Sequence, residues 1–176
     1  MNFPDPLAPE RAVLRPLDTL RPWLLLATRC YVGWQFLKSG WLKVTSWETT
    51  LGLFQDEYRV PLLPPEWAAV AGTAGELAFP VLLGLGIASR LAALGLSAVN
   101  VLAVVSYAHV LLSEGFEAAL GQHLLWGYML GVLVFCGPGA LTLDGWLAAR
   151  RRTGVAAESS GRGGDASGGG AQLLRP

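Results

Sequence analysis

Hydrophobic and polar positions alternate on a long scale in this chain. Four apolar runs, at about 22–42, 66–86, 91–112 and 122–137, are separated by short polar stretches. An α-helix rises about 1.5 Å per residue, so roughly 20 apolar residues cross a hydrocarbon core about 30 Å thick. The first three runs have that length, and the fourth is shorter. The pattern predicts an all-α membrane protein, a four-transmembrane-helix bundle occupying residues 22–147.

The connections carry their own pattern. Between the first two runs, Trp47, Leu51, Phe54 and Tyr58 recur at spacings of four, three and four, with Glu48, Gln55 and Asp56 off that stripe. This is one face of a helix, and it predicts a short amphipathic helix in the outer loop, lying on the membrane surface. The following VPLLPP ends it, because proline cannot continue a helix and restricts the residue before it. The link Ile87 to Arg90 is tight, which makes the second and third runs an antiparallel hairpin. Residues 113–121 form a short acidic loop with Glu114 and Glu117. Gly137-Pro138-Gly139 breaks the fourth run, and Asp144 is placed to cap a short cytoplasmic C-terminal helix, GWLAARRR. Residues 1–21 read as a polar, Pro-rich cytoplasmic arm without a signal peptide's apolar core. Residues 148–176 read as a basic, then Gly- and Ser-rich, disordered tail.

Composition agrees with this picture. The 176 residues are 52% hydrophobic and 15% charged, against about 25% charged in soluble domains. The net charge is zero, so no basic surface points to nucleic acid. Cys30 and Cys136 are too few for a disulfide framework, and no CxxC is present; they read as packing residues. Basic residues set the orientation. Arg11, Arg15, Arg21, Arg90, Arg150, Arg151 and Arg152 would share one side, leaving Lys43 and Arg59 for the other. Both termini of this multi-pass protein are therefore expected in the cytoplasm.

Polar residues inside the apolar runs carry the candidate chemistry, because a charge in the bilayer is expensive and has a partner or a role. Glu76 lies near the middle of the second run. Arg29, on a face with Gly33 and Gly40, is its expected partner, with Asn100 and Tyr107 as neighbours. The four form a candidate intramembrane polar cluster. It serves either to fix helix register or as a proton-coupled or ligand-binding centre. Lys38, with Gln35, is expected to snorkel to the outer surface. Lys38, His109 and His123 are candidate outer polar residues. No HxxxH or HxxE spacing supports a metal site. Arg90 and Asp144 are expected to form a structural cytoplasmic pair. Gly127 and Gly131 suit close helix contact. No nucleotide loop, hydrolase triad, haem attachment motif or flavin fingerprint is present.

Several stretches together resemble the DoxX family of small bacterial four-helix membrane proteins. They are RCYVGWQFLKSGWLK from Arg29 to Lys43, VPLLPPEWAA, Glu76, LLGLGIASRLAAL, and GPGALTLD from Gly137 to Asp144. Thr142 stands where a Ser is common. The resemblance covers about Arg21 to Leu147. It implies a plasma-membrane accessory subunit of a redox or metal-stress system, with protein partners in that complex and quinone as a candidate contact. It implies no established catalytic residues. Two other readings stay open: a small oligomeric transporter or permeation factor, and a quinone-linked oxidoreductase subunit. An enzyme acting alone is the less favoured reading, since no cofactor site is visible.

Overall fold

The computed structural model describes residues 8–147 and Arg150. The first seven residues of the expected arm, and the expected tail from 151 onward, lie outside the described residues.

Helix α1 runs from Ala8 to Thr45, 38 residues. At 1.5 Å per residue it is about 57 Å long, nearly twice the thickness of a hydrocarbon core. The expected arm is therefore helical from residue 8 onward. Along α1, Leu25, Arg29, Val32, Phe36 and Gly40 turn inward at helical spacing, while Trp23, Trp34 and Trp41 are exposed. A short helix, α2 (Trp47–Asp56), follows. Its Phe54 side, with Leu51 and Tyr58, packs on Ala68 and Ala69. Three residues of the expected stripe, Leu51, Phe54 and Tyr58, thus have a protein partner, while Trp47 is exposed.

Helix α3 (Pro65–Leu85) opens with proline in its first turn, where the missing N–H is harmless. It ends at Gly86, whose φ of 75° is a left-handed cap that glycine adopts without strain. After the tight turn, α4 (Ser89–Ser106) returns antiparallel. The expected third span does not continue unbroken to residue 112. Tyr107 leaves the helical conformation, and a single turn, α5 (Ala108–Leu111), follows. The last long helix, α6 (Glu117–Cys136), starts earlier than the expected 122 and takes in part of the acidic loop. Residues 143–147 are helical. Thr142, not Asp144, supplies the cap there: its Oγ1 accepts the Gly145 N–H at 3.0 Å.

Helix α1 packs on α3, α3 on α4, α4 on α6, and α6 on α1, closing a bundle of four long helices. Its core contains Leu25, Val32, Phe36, Leu83, Leu96, Leu130 and Leu133. Large apolar side chains such as Trp34, Leu91, Leu124 and Phe135 face outward, as a hydrocarbon solvent permits. The chain is an all-α, multi-pass membrane protein. Among the described residues three helices, α3, α4 and α6, are long and apolar enough to cross a membrane. The expected first span, within α1, is not among them: Arg29, Gln35, Lys38 and several aromatic residues make that helix more polar.

Candidate functional site

The α1–α3 seam is set by glycines. A Cβ on Gly40 would lie 2.9 Å from the Cβ of Glu76 and 3.1 Å from its carbonyl carbon. The two backbones can approach this closely only because Gly40 has no side chain. Lys43, three residues further along α1, is on the same face. Its Nζ donates to Oε1 and Oε2 of Glu76 at 2.5 and 2.6 Å, with the Ser39 hydroxyl at 3.4 Å. The pair is largely buried, the side chains being 20% and 7% exposed. Pro80, four residues beyond Glu76, has no N–H for the Glu76 carbonyl, so this turn of α3 is also polar on its main chain. Thr50 of α2 ties down the end of α1 by donating to the Lys43 carbonyl at 3.2 Å.

This ion pair forms part of the lining of an apolar cavity of about 140 Å³. Its walls are Phe54 of α2, Tyr58 and Val60 of the connection, Ala71 and Gly72 of α3, and Val99, Leu102, Ala103 and Ser106 of α4. Small residues on α3 and α4 leave the space. The connection is held over the cavity by the Arg59 N–H, which donates to the Ser106 carbonyl at 2.9 Å. The ring of Tyr58 lies 5.1 Å from that of Tyr107, whose hydroxyl donates to Glu57 at 3.0 Å. Burial, reinforced by Tyr107, Glu76 and Glu57, raises the Tyr58 phenol above its ordinary value. It is a neutral hydrogen-bonding group at any physiological pH.

The expected four-residue cluster is divided among separate places. Glu76 pairs with Lys43, and Arg29 does not reach it. Gly40 marks the level of Glu76, and Arg29 lies 11 residues earlier in α1, about 16 Å along the axis. Arg29 instead donates to the Leu141 carbonyl at 2.5 Å. Asn100 bonds His123 of α6: its Nδ2 donates to the His123 carbonyl at 3.0 Å, and its Oδ1 is 2.8 Å from Nδ1. Since an amide oxygen only accepts, the imidazole proton sits on Nδ1. Tyr107 stands beside the cavity, through Tyr58.

The remaining candidates fall as follows. Lys38 is exposed and donates to Gln35 at 3.1 Å. His109 is exposed, with its ring 5.6 Å from that of Tyr107, and it is not joined to His123. The Arg90–Asp144 pair does not form. The Asp144 carboxylate accepts the Ala88 N–H at 2.6 Å and the Asp144 N–H donates to the Gly86 carbonyl, which leaves Arg90 against Gly137. The hairpin is still tied to the segment after α6, by main-chain groups rather than an ion pair. Gly127 packs near Asn100, whereas Gly131 faces open space. Cys30 and Cys136 are exposed rather than packed. Among the described residues no three His, Cys, Asp or Glu side chains are grouped to hold a metal.

Lys43 is the residue that sequence reasoning missed. The apolar run ends before it, at about residue 42, which makes it look like a loop cation. The usable signal was its position, three residues after Gly40 and inside the very motif that carries the family resemblance.

Residues 24–109 match the family model described as DoxX. No curated protein and no solved structure matches the chain. The match is narrower than the Arg21 to Leu147 resemblance. It contains Arg29, Lys43, Glu76 and every residue lining the cavity, and it stops before α6 and the GPGALTLD segment. That stretch is similar to DoxX-family membrane proteins.

Proposed function

We propose that this DoxX-family membrane accessory protein serves a redox or metal-stress complex by holding a quinone head group in the Lys43–Glu76 cavity. The observation that carries the reading is a buried, charge-neutral ion pair lining an apolar cavity of ring size. An engineered cavity of about 150 Å³ holds benzene, and this one is about 140 Å³. The cavity has apolar walls for the ring and Lys43 for a carbonyl oxygen. An isoprenoid tail would extend from the cavity into lipid. A quinone, when bound, supplies two-electron, two-proton redox chemistry. The chain's own contribution is to orient the head group, to exclude water with Phe54 and Leu102, and to keep a proton donor, Lys43, beside a proton acceptor, Glu76. Tyr58 adds a neutral donor.

In this reading α1 also crosses the bilayer, as the fourth span. Exposed Trp23 and Trp41 lie 18 residues apart, about 27 Å along a helix, which suits two interfacial aromatic belts. The Arg-rich end, with both termini, is cytoplasmic, so the cavity opens toward the outer leaflet. Protein partners of the redox or metal-handling complex dock on the exposed helices.

Titration of the purified protein in nanodiscs with a short-chain quinone, read by tryptophan quenching, tests the site. Saturable binding that Lys43→Met weakens about tenfold is expected, the loss of one charge-assisted hydrogen bond. Non-saturable quenching, equal in both proteins, would refute it. Pull-down from native membranes tests the accessory role, and recovery of no redox or metal-handling protein would count against it.

A further inference from the structure

At the other end of the α1–α3 seam, Arg29 is 0% exposed. Its Nη2 reaches the Leu141 carbonyl, but Nε and Nη1 are buried without a partner. No carboxylate pairs with it among the described residues. A Cβ on Gly86 would lie 2.9 Å from Nη1, so glycine there lets the guanidinium lie against the end of α3. A helix C-terminus carries about half a negative charge. That partly offsets the cation but provides nothing to accept from Nε and Nη1. A buried cationic donor without an acceptor is costly, so an anion is the missing partner.

The surroundings say which kind of anion. A lateral groove of about 300 Å³ runs between α1 and α3 and has Arg29 at one end. Beyond Arg29 its lining is apolar or glycine, including Leu37, Pro80, Val81 and Gly84. Arg21 and Arg90 are exposed at the same end of the bundle. An apolar furrow on the outside of a membrane bundle, headed by a buried cation, matches an acyl chain ending in a phosphate. We propose that Arg29 and this groove bind one anionic phospholipid, the phosphate oxygens accepting from the free guanidinium donors and an acyl chain lying along α1 and α3. Basic sites between membrane helices recognise anionic lipids by this chemistry. The site is separate from the Lys43–Glu76 cavity and does not depend on the quinone reading.

The test uses the full chain, delipidated in detergent. It compares retention of added phosphatidylglycerol and phosphatidylcholine by native mass spectrometry, and thermal stabilisation by each lipid and by inorganic phosphate. About a tenfold preference for phosphatidylglycerol is expected, with no stabilisation by inorganic phosphate. Arg29→Met should abolish the preference. Gly84→Leu keeps Arg29 and fills the groove where an added Cβ meets nothing within 4 Å. It should abolish the preference too, while melting in detergent alone is unchanged. If Arg29→Met fails to fold, Gly84→Leu decides. Equal retention of the two lipids, equal stabilisation by inorganic phosphate, or an undiminished preference in Gly84→Leu would overturn the proposal.

Discussion

Two cations on one face of α1 end up in opposite circumstances. Lys43 is locked to both oxygens of Glu76 at 2.5 and 2.6 Å, and the resulting neutral pair borders an apolar cavity. Arg29 is more deeply buried, yet it meets one main-chain carbonyl and keeps two donor atoms unpartnered. Both lie on the α1–α3 seam, and a glycine makes room for each, Gly40 beside the pair and Gly86 beside Arg29. The difference shows that a charge within a membrane bundle is not explained by pairing it with any opposite charge on the facing side of a neighbouring helix. The helix offset decides which charges meet.

The comparison breaks most visibly when the partners are removed. Glu76→Ala leaves a buried ammonium uncompensated and should destabilise the protein by about 3–5 kcal/mol. Arg29→Met removes a cation that has no carboxylate partner and strands only the Leu141 carbonyl, at the exposed end, so about 1 kcal/mol is expected. Thermal or denaturant unfolding in detergent measures both. An equal loss at the two sites would erase the distinction. Lys43→Met combined with Glu76→Leu should recover most of the Glu76→Ala loss, because an apolar pair of similar volume often replaces a buried ion pair without penalty.

A smaller effect tests the seam itself. Gly40→Ala forces a methyl to within 2.9 Å of Glu76 and should cost about 1–3 kcal/mol. Gly131→Ala, which faces open space, should be neutral or slightly stabilising, since alanine is the better helix former. Similar losses in both would mean that Gly40 does not set the helix contact.

These expectations indicate what the sequence can and cannot disclose. Apolar run lengths disclose the α3, α4 and α6 spans, and the four-three-four stripe discloses α2, because burial and helical period act locally. The face of α1 that turns inward is legible too, from Gly33 and Gly40. The vertical offset between α1 and α3 is not, because periodicity fixes rotation about a helix axis and says nothing about translation along it. That offset decides between Arg29 and Lys43 as the partner of Glu76. The break at Tyr107 is equally hidden, since the Tyr107 hydroxyl is satisfied by Glu57, about 50 residues away. The failure of the Arg90–Asp144 pair has a related cause: Ala88, in a left-handed conformation at φ 44°, presents its N–H to Asp144 first.

The smallest expected effect is a pH dependence at the cavity wall. The Tyr58 phenol is raised in the folded protein, so the folded state favours its neutral form. That contribution is fully present below the ordinary tyrosine value of about 10 and is lost as pH rises through the raised folded value. Melting temperatures between about pH 9 and 11 should therefore fall more steeply in the wild type than in Tyr58→Phe. Parallel curves would show that the phenol is not held in the cavity wall.

The cavity and the groove can be filled independently, which gives the most direct test of the Lys43–Glu76 site. Gly72→Leu places a side chain in the cavity beside Phe54 and leaves the ion pair intact, while Gly84→Leu fills only the groove beside Arg29. Short-chain quinone affinity in nanodiscs should fall at least about tenfold in Gly72→Leu, one hydrogen bond or more of lost contact, and stay at the wild-type value in Gly84→Leu. Unchanged affinity in Gly72→Leu, or a loss confined to Gly84→Leu, would contradict the assignment of the cavity as the functional site.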